Sequence, residues 1–156
     1  MSDSAEGGGV AGLLASAAAG YRKMFGWPAK VAGDAVVVEM SGGVGGVVVP
    51  QEYCPALISA LADVGCLGPV LAPPAGAERL VFLADPNGSV VPSQPIPPGA
   101  RVLTKSDLVP LPAGPVPRIS ARWAVQPVAG DWLPLLDTVL GVLAGVYRGD
   151  RARHTG

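Results

Sequence analysis

The side chains able to do chemistry in this chain are few and widely spaced. Glu39 closes an apolar run, VVVE, and stands beside the glycine-rich stretch SGGVGG, which holds Gly42, Gly43, Gly45 and Gly46. Glycines in such a stretch let backbone N–H groups approach an anion. A phosphate loop also needs a helix N-terminus, or Gly-Lys-Ser/Thr, directly after them. Here VVVP follows, so the expectation is a hairpin turn between two strands, with Glu39 a solvent-exposed carboxylate at a strand end. A second reading makes Glu39, together with strand-borne arginines, the working group of a small enzyme acting on a phosphorylated small molecule.

Arginine is the main polar resource. Arg79, Arg101, Lys105, Arg118 and Arg122 lie in the strand-rich half, and Arg148, Arg151 and Arg153 near the C-terminus. Arg101, Lys105, Arg118 and Arg122 would line a groove for nucleic acid or another anion if the fold gathered them. Trp123 would then offer a face on which a base stacks. The competing expectation is solvated sheet faces and a solubilising tail. Strongly charged patches are not a property of the whole chain, whose net charge is −1.

Other chemistries lack their parts. The single histidine, His154, is three residues from the C-terminal end, and the two cysteines, Cys54 and Cys66, do not supply a zinc ligand set. The carboxylates are dispersed rather than clustered, so no metal and no cofactor are expected. A serine or cysteine nucleophile would have no base beside it, and no catalytic residue is assigned. Were Cys54 and Cys66 carried by one helix, a rise of ~1.5 Å per residue would hold them roughly 18 Å apart. That is too far for a disulfide. Reduced, buried thiols fit a cytoplasmic location.

These residues must be positioned by short elements. From Val10 to Phe25, Leu13, Leu14, Ala17, Ala18, Tyr21, Met24 and Phe25 recur at helical spacing, and Gly26 stops the helix. Lys30 to Ala32 reads as an edge strand, Gly33-Asp34 as a tight turn, and Ala35–Met40 and Val47–Val49 as strands. A helix from about Gln51 to Val64 follows, with Tyr53, Leu57, Leu61 and Val64 on its buried stripe. Further strands are expected at Pro69–Ala72, Leu80–Ala84, Arg101–Thr104, Leu108–Leu111 and Ile119–Val125. Proline-rich segments punctuate them, including Val90–Gly99 and Pro112–Pro117. The last helix is expected to start at Asp131 as N-cap and to bury Leu136, Val139, Leu140, Leu143 and Tyr147. Residues 1–9 and 148–156 read as disordered tails flanking one domain over 10–147.

The order helix, strands, helix, strands, helix predicts a single α+β domain with a mixed or mostly antiparallel sheet. At 156 residues and 49% hydrophobic content the chain can bury a real core. The N-terminus MSDSAEGGG lacks the order of a secretory leader, and no run reaches the ~20 apolar residues of a membrane span. No membrane partner is expected.

Several segments resemble a known family. AAAGYRKMFGWP, with Gly26-Trp27-Pro28 closing an Ala-rich helix, is similar to the opening of actinobacterial proteins related to the N-terminal bifunctional DNA primase/polymerase (prim-pol) domain. GGVGGVVVP, QEYCPALISALADVGCLGPV, LVFLADPNG and PPGARVL resemble segments of the same proteins, over roughly residues 17–125. Active members of that superfamily carry paired acids on a strand to hold metal ions for nucleotidyl transfer. At the matching place this chain has Val47-Val48-Val49-Pro50. The resemblance therefore implies a degenerate, non-catalytic domain that binds a protein partner or nucleic acid. A mean hydropathy of +0.42 adds a third expectation, a structural protein that forms a homo-oligomer.

Overall fold

The β-branched runs become strands, and they pair into two separate sheets. The computed structural model describes residues 2–40, 43–72, 78–86, 95–103, 107–112, 121–128 and 133–155, with side chains from 12 to 152. Gly42, Lys105, Arg118, Asp131 and the proline-rich stretches at 90–94 and 113–117 lie outside the described residues. In chain order the elements are α1 (Ser2–Phe25), β1 (Ala29–Ala32), β2 (Ala35–Glu39), β3 (Gly45–Pro50), a 3-10 turn (Gln51–Tyr53) and α2 (Cys54–Asp63). These are followed by β4 (Val70–Ala72), β5 (Arg79–Ala84), β6 (Arg101–Val102), β7 (Leu108–Leu111), β8 (Arg122–Val125) and α3 (Leu136–Thr155).

One sheet has the order β1-β2-β7 and the other β6-β3-β5-β4-β8, and all strand pairs within them are antiparallel. The result is an α+β single-domain fold. β1 and β2 form a tight hairpin in which Ala32 faces Ala35. Gly33 adopts φ +62 in the two-residue turn, a conformation that favours glycine. Pro110 can sit inside β7 because that strand is an edge of its sheet.

The five-stranded sheet separates two cores. Val47, Val49, Val70, Phe82 and Ala84 face α2 and α3, where they meet Leu57, Leu61, Leu136, Val139 and Leu143. Each of these side chains is almost fully removed from water, worth about 1.5–3 kcal/mol for a Val, Leu or Phe. Leu71, Val81 and Leu83 face the other way, toward Val36, Val38, Val109 and Leu111 of the smaller sheet and Leu14 and Ala18 of α1. β8 serves both faces. Its register shifts between Val70 and Leu71, so Trp123 joins the inner core while Val125 joins the outer one.

Three features differ from the sequence expectations. The glycine stretch does not join a hairpin: β2, ending at Glu39, and β3, beginning at Gly45, belong to different sheets. β6 and β7 are likewise in different sheets. Met40 N–H donates to Asp107 O at 2.8 Å, and Leu103 N–H donates to Gly46 O at 2.9 Å. Second, the outer helices are longer than expected. α1 reaches back to Ser2 and α3 runs on to Thr155. In α3 the extra turns are held by side chains, since Arg151 lies over the Tyr147 ring at 5.5 Å. Its start moves too: α3 begins at Leu136, where Leu136 N–H donates to Asp85 O at 2.7 Å. Third, Leu13, Met24 and Val64, expected to be buried, are exposed.

Candidate binding site

Of the basic residues expected to line a groove, the two that are described, Arg101 and Arg122, are not neighbours. Arg101 is on β6 and Arg122 on β8, the two opposite edges of the five-stranded sheet. Four inter-strand steps of ~4.8 Å separate them by roughly 19 Å. Trp123 packs into a cluster of rings instead of lying open for stacking. Its centroid is 6.0 Å from Trp27 and 6.3 Å from Tyr21. Trp27 in turn stacks on Phe25 at 4.7 Å and Tyr21 at 5.9 Å. Tyr21 Oη donates to Pro112 O at 2.6 Å and accepts a bond from Trp123. Burial raises the Tyr21 hydroxyl above its ordinary pKa, and the Trp123 bond partly offsets that rise. The four rings close the side of the inner core on which α1 lies.

Glu39 is a surface carboxylate. Lys30 Nζ lies 2.8 Å from Glu39 Oε1, with both side chains well exposed, so the pair contributes about 0–1 kcal/mol. Of the glycines, Gly43 meets nothing within 4 Å of an added Cβ. Gly45 and Gly46 are strand residues whose role is close packing. A Cβ on Gly45 would touch the Pro86 ring at 3.2 Å. One on Gly46 would fall 2.8 Å from the Phe82 carbonyl oxygen and 3.3 Å from Leu103 Cδ1. Their signal in the sequence was real, but it marks backbone approach to protein rather than to phosphate.

Gly46 admits Leu103, and Leu103 borders an opening between the sheets. This cavity has a volume of about 150 Å³. Val48, Leu71, Val81, Leu103 and Val109 form its walls, and among the described residues Arg101 is the charged side chain lining it. Leu108 and Pro110 complete the rim. Opposite Val48 in register, Arg101 shares the inner face of its sheet. Its Nη1 is 3.4 Å from Asp107 Oδ2, a long, exposed ion pair. The sequence pattern concealed this site, because its walls come from four strands and from Leu103 just after β6, and each wall residue alone reads as ordinary core. A second, smaller opening of about 50 Å³ is bordered by Phe25, Trp27, Gly68 and Leu133.

The remaining titrating groups are structural. Cys54 Sγ is buried, within 3.3 Å of Pro50 O, and burial pushes its thiol up to about 11. It is therefore a poor nucleophile near neutrality. Burial likewise raises Tyr53, with the negative charges of Glu52 and Asp150 adding to the rise. Cys54 and Cys66 are both free thiols. Among the described residues no group of three or more His, Cys, Asp or Glu could hold a metal ion, and no described helix is long and apolar enough to cross a membrane. Comparison of the chain with known protein families, with curated proteins and with solved structures finds no match.

Proposed function

We propose that this chain is a non-catalytic binding domain whose partner is a protein, engaged through the solvent face of α1. The observation that carries the reading is the character of that face. The exposed positions from Gly12 to Ala19 are Gly12, Leu13, Ala15, Ser16 and Ala19, with no charge among them. Leu13 is 54% exposed and Met24 57%. Eleven residues apart, they are close to three full helical turns, which sets them on one side of α1 about 16 Å apart. Arg22 and Lys23 are exposed in the last turn, so it is the stretch from Gly12 to Ala19 that is uncharged both toward its core and toward solvent, and a helix surface of that kind is ordinarily covered on both sides. Small residues at Gly12, Ala15 and Ala19 would let another backbone come close.

The test is sedimentation velocity over a concentration series, with pull-down from the native host, on the wild type and the double variant Leu13→Glu/Met24→Glu. Self-association, or a stoichiometric protein partner, that the double variant loses while keeping its circular dichroism and Tm supports the reading. A wild type that is monodisperse and indistinguishable from the variant in both assays overturns it. Fluorescence anisotropy with labelled single-stranded DNA and RNA across a salt series serves as control. Salt-sensitive micromolar binding there would move the reading to nucleic acid, and thus toward the prim-pol resemblance.

A further inference from the structure

We infer that the cavity between the two sheets is a binding site for a small amphipathic carboxylate, one ring or short branched chain in size. This goes beyond the protein-binding reading and uses a different part of the molecule. Size comes first. An opening of about 150 Å³ with aliphatic walls has room for a molecule of roughly benzene dimensions. The walls, Val48, Leu71, Val81, Leu103 and Val109, offer no hydrogen-bonding side-chain atom, so the inserted part of the ligand must be apolar.

Charge decides the other end. Among the described residues Arg101 is the charged group lining the cavity, and strand alternation places it on the same sheet face as Val48 and Val81. Arg79, two residues before Val81 and opposite Pro50, falls on that face as well. The guanidinium of Arg101 carries five N–H donors in a planar fork suited to a carboxylate. Asp107 engages it through one contact, Nη1 to Oδ2, at 3.4 Å. The fork can hold a second carboxylate at its other donors while that contact persists. An apolar slot with a guanidinium at its rim selects a ligand with an apolar body and an anionic end.

The experiment uses the full chain, labelled with 15N, titrated with benzoate and separately with benzyl alcohol as a neutral probe of the same ring size. The expected result is saturable shifts of the Leu103, Val109 and Val81 amides. Benzoate should bind with a dissociation constant on the order of 1 mM or tighter, and about tenfold better than benzyl alcohol. Arg101→Gln should remove that tenfold preference while leaving benzyl alcohol binding in place. Val48→Phe, which fills the slot, should abolish both. Failure of either probe to shift those amides at 20-fold excess over ~1 mM overturns the inference. So does an unchanged benzoate preference in a folded Arg101→Gln protein. The double variant Leu13→Glu/Met24→Glu should bind benzoate like the wild type, so this site and the α1 surface stand or fall separately.

Discussion

The two faces of the five-stranded sheet are covered differently. On the outer face, α2 and α3 bring a closed aliphatic layer in which Val47, Val49, Leu57, Leu136, Val139 and Leu143 lose all contact with water. On the inner face, a sheet of three strands covers one of five. The mismatch is made up on one side by α1 and four aromatic rings, and on the other it is left as a cavity. Interiors normally pack to the density of organic crystals. Where a cover is narrower than the surface beneath it, that density is reached only by inserting large rings or by leaving space for something else.

Substitutions can break or sharpen this contrast. The largest effect is expected for Phe82→Ala in the closed layer, a loss of about 3–5 kcal/mol in urea unfolding. Leu103→Ala at the cavity wall should cost only about 2 kcal/mol, because its surroundings are already open. Equal losses would erase the distinction. Gly46→Ala comes next, at roughly 2–3 kcal/mol, since the atom it strikes belongs to the backbone of β5 and cannot turn aside. Enlarging residues should show opposite signs on the two faces. Val47→Leu, facing the helices, should destabilise by about 1–3 kcal/mol, whereas its neighbour Val48→Leu, facing the cavity, should be neutral or stabilising in the same assay.

In an alkaline pH scan Cys54 reports on the outer layer, beside the raised Tyr21 of the inner core and Tyr53. The Cys54 thiol is raised in the folded state from an ordinary 9.0 to about 11. Above pH 9 the unfolded chain gives up this proton while the folded chain keeps it. The stability contributed is thus complete below pH 9 and is lost as pH rises through 11. The loss should amount to about 1–2 kcal/mol, and Cys54→Ala should flatten that part of the profile. The smallest effects belong to the surface. Glu39→Gln and Asp107→Asn should each change stability by about 0–1 kcal/mol, less at high salt.

Much of the fold was legible in local pattern. The run AVVVE, the turn Gly33-Asp34 and the LVPL segment stand as strands and turn where alternation and β-branching place them. The helix after Pro50 buries Tyr53, Leu57 and Leu61 as its spacing requires. Strand partners were not legible. Two apolar runs joined by glycines carry the local signature of a hairpin, and it is the remote β7 for β2, and β5 and β6 for β3, that draw them into different sheets. Residue type was also ambiguous at Trp123, whose ring serves a stacking face or a core equally well until Tyr21 and Trp27 are placed beside it. The candidate site was hidden for the same reason, since its walls are neighbours only after β3, β4, β5 and β7 have assembled.

The change of sheet between β2 and β3 also has a bearing on how the chain is made. β2 finds its second neighbour, β7, only about 70 residues further along. At 5–20 residues per second, synthesis of that stretch takes on the order of 4–14 s. Throughout that time Val36, Val37 and Val38 are a β-branched run with one strand edge open, the arrangement that invites pairing between chains. The inner core, and with it the cavity, can close only after β7 has emerged. A protein built this way depends on the pace of its own translation, and on whatever shields the nascent β1–β2 hairpin while it waits.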